Sequence, residues 1–188
     1  EMFIDPDVYY QFKSLDHNVY DFDWPEGYAR FTTPNEQYII NLANDLNYLA
    51  IEENFNELET ANFILSFVQA IDYKVDNYTN YQGIQEYPKY PVEMLWDGQG
   101  DCEDSSALFA SLLEALGYDA VLLLFLGNIE GHAAIGVYID EASGKSYQYQ
   151  NKNYYYAETT DTGSTIGDDP KYYFIDLDTE EASYIYDV

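Results

Sequence analysis

The 188-residue chain is 47% apolar, enough for one sizeable core and too short for two ordinary domains. Its 35 acids against seven bases leave a formal charge of −28, a balance that repels nucleic acid and anionic membrane surfaces and sets both aside as partners. Ten Phe, twenty-two Tyr and two Trp make up an aromatic share of 18%, too high for a disordered acidic tail, so the chain is expected to fold.

The longest unbroken apolar run, Ala120 to Leu126, is far below the roughly 18 to 20 residues of a membrane-spanning helix. Direct membrane insertion of this chain is therefore not expected. The sequence begins at Glu1, with no initiator Met and no charged-then-apolar leader, which is compatible with removal of a signal or anchor. A single cysteine, Cys102, excludes an internal disulfide and any multi-cysteine zinc or iron–sulfur centre. It is either a buried small residue or a reactive thiol.

Residues 1–32 carry scattered aromatics and acids, with Pro6 and Pro25 as breakers, and read as an extended N-terminal arm. Residues 33–188 read as a single domain. Thr33-Pro34-Asn35-Glu36 offers a capping hydroxyl, a proline and a glutamate three residues past the cap, which predicts a helix start. Ile39, Leu42, Leu46 and Leu49 form its apolar stripe, and Leu58, Ala61, Leu65, Val68 and Ile71 form a second stripe behind Asn56 and Glu59. Tyr73 to Tyr90, polar and marked by Gly83 and Pro88, reads as a surface loop.

Asp101 next predicts a cap with Asp104 three residues on, and Leu108, Leu112, Leu113 and Leu116 supply a stripe that stops at Gly117. Cys102 then lies in the first turn of a buried helix. The period afterwards is strand-like: Ala120 to Leu126 and His132 to Asp140 predict an antiparallel hairpin across residues 127–131, and Tyr147 to Glu158 predicts a third strand. Tyr172 to Asp176 and Tyr184 to Tyr186 are candidates for a fourth and fifth. Helices first and strands after predict an α+β fold with an antiparallel sheet.

A cysteine in the first turn of a helix faces unpaired backbone N–H groups and the positive end of the helix dipole, which favour a thiolate. Asp101, Glu103 and Asp104 oppose this by repulsion, so activation calls for a proton-accepting partner. His132, which opens a strand among Gly131, Ala133 and Ala134, is the candidate. If residues 132–140 pair antiparallel with 147–158, Glu158 becomes its cross-strand neighbour and the group that orients the imidazole. His17, in the arm, reads as structural or solvent-exposed.

Three blocks in order then carry a resemblance. Tyr90-Pro91-Val92-Glu93-Met94-Leu95 with Gly100-Asp101-Cys102-Glu103-Asp104 and Leu112 to Tyr118, Gly131-His132-Ala133-Ala134-Ile135-Gly136-Val137, and Tyr154-Tyr155-Tyr156-Ala157-Glu158-Thr159-Thr160 resemble the transglutaminase-like superfamily. The likeness is strongest to its archaeal and bacterial cysteine-protease branch. Phe67 to Tyr73 resembles the helix and tyrosine that precede the family core, and the match runs roughly over residues 33–170. The resemblance implies a papain-like α+β fold, N-terminal helices packed on an antiparallel sheet, with Cys102 as nucleophile, His132 as general base and acid, and Glu158 as orienting acid. The wider family commonly has aspartate in this third place.

The implied reaction is acyl transfer on an amide of a protein or peptide, with hydrolysis favoured over crosslinking. The Cys102 backbone N–H and a second donor, Gln99 or Trp96, would hold the oxyanion. Acidity and family habit place the chain outside the cytoplasm. The rival reading is a non-catalytic surface module that binds glycan or protein through carboxylates and an aromatic face of Tyr147, Tyr149, Tyr154 and Tyr156. No cofactor is expected. The sequence lacks a twelve-residue loop of alternating calcium ligands, and only weak calcium binding is expected, at pairs such as Asp21/Asp23 or Asp168/Asp169.

Overall fold

The computed structural model describes residues 4–19, 26–76, 86–126, 131–169 and 182–188. The arm is not extended throughout. Asp5 caps helix α1 (Pro6–Lys13) by accepting from the Asp7 N–H, and Pro6 stands at the first helical position. A helix this short gains most of its stability from docking: Tyr9 stacks on Trp96, with ring centroids 4.9 Å apart. A 3-10 helix, Glu26–Phe31, follows. Arm and domain share the packing of Phe31, Tyr90 and Ala107, so the boundary at residue 32 is not a break in the core.

Helix α2 (Gln37–Glu52) starts later than the Thr33 cap predicts, because Glu36 is the capping residue and accepts from the N–H groups of Tyr38 and Ile39. Its buried stripe is Ile39, Ala43, Leu46 and Ala50, which leaves Leu49 outward. Two alanines let α2 lie close to its neighbours. Helix α3 (Glu57–Gln69) carries the predicted Asn56/Glu59 capping box. Short parallel strands β1 (Asp72–Tyr73) and β2 (Gln99–Gly100) flank helix α4 (Pro91–Asp97) and lead directly into α5 (Cys102–Ala115).

Helix α5 is the axis of the molecule. Every residue from Asp104 to Leu113 is buried, so the helix is enclosed on all sides by α2, α3, α4 and the sheet. Gly117, at φ +86°, terminates it: Tyr118 N–H bonds to the Leu113 carbonyl and Gly117 N–H to that of Glu114.

The sheet contains β3 (Asp119–Leu126), β4 (Gly131–Tyr138), β5 (Ser146–Tyr149), β6 (Lys152–Ala157) and β7 (Tyr184–Asp187), in the order β5-β6-β4-β3-β7, all antiparallel. The run 147–158 is two strands, not one. Gln150 and Asn151 both adopt positive φ and turn the chain back in a two-residue hairpin. Strand β3 is apolar on both faces: Ala120, Leu122 and Leu124 pack toward α5, while Val121, Leu123 and Phe125 join a second cluster with Ala134, Tyr147, Tyr154 and Tyr156. The aromatic face anticipated for a binding module is thus largely core. The proposed strand at Tyr172 to Asp176 lies outside the described residues. Among the described residues, no helix is long and apolar enough to cross a membrane.

Leu112, fully buried at the centre of α5, provides a test of this architecture. Leu112→Ala is expected to cost about 2–5 kcal/mol in urea unfolding, through lost transfer energy and a residual cavity. A loss below about 1 kcal/mol would contradict the helix's central position.

Candidate active site

Two local devices set Cys102 at the first position of α5. The β1–β2 pairing holds the preceding segment, with Tyr73 opposite Gly100 and the Lys74 N–H on the Gly100 carbonyl at 2.8 Å. Asp104 Oδ2 then accepts from the Asp101 N–H (3.4 Å) and lies 3.2 Å from Lys89 Nζ, while Oδ1 accepts from the Lys89 N–H (2.6 Å). Gly100 is required here. A Cβ at that position would fall 2.8 Å from Asp104 Cβ and Oδ2.

Strand β4 brings His132 close enough to Cys102 for the two to interact electrostatically, and His132 Nε2 lies 2.8 Å from Glu158 Oε2. This leaves Nδ1 for the sulfur. The β4–β6 register pairs Ile135 with Ala157; continued by three residues it sets His132 opposite Thr160 and Glu158 on the diagonal. A diagonal pair is separated by about 7–8 Å, so the additional methylene of glutamate has a geometric use.

Four donors hold Glu158. Its Oε2 accepts from His132 and from Tyr156 OH (2.6 Å), and its Oε1 from Thr160 N–H (2.9 Å) and Thr160 Oγ1 (2.7 Å). Gln69 Nε2 secures the Glu158 carbonyl at 2.8 Å, and Thr159 Oγ1 lies 3.3 Å from Ser106 Oγ on α5.

The electrostatics follow from these bonds. Burial opposes charge on His132, yet hydrogen bonds and negative charge from Cys102 and Glu158 outweigh it and raise its pKa to about 10. Burial likewise opposes charge on Glu158, and the bonds from His132, Thr160 and Tyr156 with the imidazolium charge bring it down to about 2. The side chains are only 14% and 12% exposed.

Beside the thiol is a second set of acids that the sequence did not single out together. Asp76, Glu86 and Glu103 each offer a carboxylate oxygen within 4.8 Å of the others. Glu103 Oε2 also lies 3.1 Å from Cys102 Sγ. Burial, then mutual repulsion, lifts Asp101 to about 6 and Glu103 well above the usual carboxylate range; burial raises Asp76 and Glu86. Asp101 is 7% exposed and, among the described residues, its Oδ1 has no hydrogen-bond partner. A set of carboxylate oxygens alone suits a hard cation such as calcium, whose ligands lie at roughly 2.3–2.6 Å.

The other sequence candidates are placed elsewhere. Trp96 is 42% exposed and stacked on Tyr9, and the Gln99 amide oxygen accepts from Lys74 Nζ. Among the described hydrogen bonds neither side chain reaches Cys102. His17 is structural, with Nδ1 2.7 Å from the Pro88 carbonyl and its ring stacked on Tyr87. Residues 86–90, read from sequence as the end of a surface loop, are half-buried to buried and supply Glu86 and Lys89. Asp168 closes a turn on Thr165, and Asp21 and Asp23 lie outside the described residues.

A family model described as transglutaminase-like domain matches residues 38–166. Among solved structures, the chain is similar to a candidate cysteine protease of Cytophaga hutchinsonii, at 18% identity and a TM-score of 0.47, over 87% of this chain and 48% of that one. It therefore spans about half the length of the Cytophaga protein. It is also similar to LapG of Legionella pneumophila: the EGTA-treated form at 19% identity and TM-score 0.46, over 68% of this chain and 71% of LapG, and the calcium-bound form at 17% and 0.44, over 78% and 84%. No functionally curated protein matches the chain.

The His132–Glu158 pair has a defined pH signature. Because Glu158 sits at about 2 instead of 4.5, its stabilisation is complete above pH 4.5 and is lost as pH falls toward 2. Because His132 is raised from 6.5 to about 10, its share is complete below pH 6.5 and is lost as pH rises through 10. The gap in stability between wild type and Glu158→Gln, on the order of 3 kcal/mol near pH 6, is expected to close in melts run from pH 4.5 down to 2. A gap that stays constant would exclude the ion pair.

Proposed function

The chain belongs to the transglutaminase-like domain family, and on that premise we propose that it is a cysteine peptidase, hydrolysing amide bonds of protein or peptide substrates through Cys102, His132 and Glu158. What supports this reading is the convergence of thiol, imidazole and carboxylate at the N-terminus of a buried helix, with the imidazole held 2.8 Å from the carboxylate. In the first half-reaction the Cys102 sulfur forms a bond to the carbonyl carbon while the carbonyl pair moves onto oxygen. The Cys102 backbone N–H, free of the helix ladder, is one donor to that oxyanion. Gln99 is the better placed of the two second donors, since its bond to Lys74 uses only the amide oxygen.

Collapse of the adduct breaks the C–N bond, and the departing amine takes the proton from His132, whose raised pKa keeps it charged at neutrality. His132 then removes a proton from water as the water attacks the thioester, and the sulfur leaves as thiolate. Glu158 stays ionised throughout and keeps the imidazole turned toward the sulfur. Water needs no acceptor subsite, which supports hydrolysis over transfer to an amine. With Tyr147, Tyr154 and Tyr156 buried, nothing favours the aromatic binding-module reading.

Acyl transfer requires no cofactor. Asp76, Glu86, Asp101 and Glu103 would hold a calcium ion, whose charge would offset their mutual repulsion beside Cys102. Acidity and such a site both suit an extracellular or cell-surface location.

Two measurements test the reading. Iodoacetamide should label Cys102 rapidly at pH 6, followed by mass spectrometry, and His132→Ala should slow labelling at least about tenfold; equal rates would remove the catalytic assignment. Calcium at one hundred times its dissociation constant should stabilise the protein at pH 7.5 by about 2.7 kcal/mol. Glu86→Gln should largely abolish this gain, and a melting temperature indifferent to calcium would remove the cation site.

A further inference from the structure

A triad whose third member is glutamate has a mechanical problem. The side chain has one more rotatable bond than aspartate, and each freely turning bond lets the carboxylate wander from the imidazole. An ionised carboxylate has about four acceptor positions. In Glu158 they are divided evenly: Thr160 fills Oε1 twice, and Oε2 is shared by His132 and Tyr156.

The two partners differ in kind. Thr160 closes a local turn, two residues on in the chain, and would hold Oε1 whether or not the imidazole were present. Tyr156 bonds the same oxygen that faces the imidazole. Its ring is 1% exposed, edge-on to Phe125 at 6.0 Å and within 6.4 Å of Tyr147, so its hydroxyl is delivered from a fixed ring. Phe125 itself lies 6.3 Å from the His132 ring. The second apolar cluster thus ends against the triad, and it reaches Glu158 through the Tyr156 hydroxyl.

We infer that Tyr156 is a positioning residue of the catalytic site: its hydroxyl, 2.6 Å from Glu158 Oε2, fixes the carboxylate on His132 Nε2 and so keeps Nδ1 aimed at Cys102. The inference rests on the cysteine-peptidase reading above. It also assigns a use to the second face of the sheet, which otherwise only packs.

Tyr156→Phe removes one oxygen and keeps the ring. Circular dichroism and melts should show a folded protein. At pH 7 the rate of Cys102 alkylation should fall about tenfold, the scale of one hydrogen bond to a charged group. The N–H signals of the His132 imidazolium in a 15N-histidine NMR spectrum, resolved from those of His17, the other of the two histidines, should broaden as the ring loses its single orientation. In a Glu158→Gln background the same substitution should change neither readout, because a residue acting through Glu158 has nothing left to position. Wild-type rates and ring signals in Tyr156→Phe would overturn the inference while leaving the peptidase reading intact. An equal loss in both backgrounds would overturn it too, by showing a general structural role. Alkylation of wild type that ignores His132→Ala would remove the reading on which it rests.

Discussion

A fully buried carboxylate, that of Asp104, is the knot from which the site hangs. It accepts from two backbone N–H groups, at Lys89 and Asp101, and pairs with Lys89 Nζ, which is itself hydrogen-bonded to the Gln99 carbonyl. One side chain thereby joins the start of α5, strand β2 and the segment entering α4. Burying such a pair is costly and yields little net stability. What it supplies is position: with the segments before and after it tied to one carboxylate, the first turn of α5 has no freedom to slide, and Cys102 is carried with it.

The same region concentrates charge against its own interest. Asp76, Glu86, Asp101 and Glu103 converge where burial already disfavours ionisation, and their repulsion adds to that cost. The surface explains most of a −28 formal charge, but these four are not surface ornaments. Lys89 is spent on Asp104. Tyr28 and the Tyr87 backbone serve Glu86 and Asp76, and among the described residues Asp101 Oδ1 has no partner. The site therefore combines a His132–Glu158 half, in which every acceptor of Glu158 is used, with an acidic half whose carboxyl groups repel one another.

What could be read from the sequence divides along a physical line. Cys102 at a helix start was legible because its signals are local: Gly100 and Asp101 before it, an apolar stripe after it, Gly117 to end it. The nearness of His132 and Glu158 was legible because antiparallel pairing relates distant residues by a simple sum, although the connection contains an additional hairpin at Gln150 and Asn151, of which only Asn151 is of a type that favours positive φ. The helical part of the arm was hidden by length, since Pro6–Lys13 has no buried stripe and is held by Trp96. The meeting of Asp76 and Glu86 with Glu103 was not legible at all. Acids are everywhere in this chain, and only the folding of two separate segments onto α5 selects these. Trp96 and Gln99 were proposed by nearness in sequence to Cys102; Trp96 is stacked on Tyr9, whereas Gln99 gives only its amide oxygen to Lys74.

Strand β3, apolar on both faces, has a consequence for how the chain must be made. One of its edges is covered by β4, which follows closely, but the other is closed, among the described residues, by β7, where Leu122 pairs with Tyr186 and the Ser183 N–H bonds to the Leu124 carbonyl. More than half the sheet can therefore assemble while the most apolar strand still offers a row of open amides and carbonyls, a template for pairing with any neighbouring chain. The cover, when it arrives, is short, and it is tied back to the β5–β6 hairpin by Gln150 Nε2, which donates to Asp187. A few residues late in the sequence thus decide whether this sheet stops growing at one molecule, and the abundant negative charge keeps other copies at a distance until they are in place.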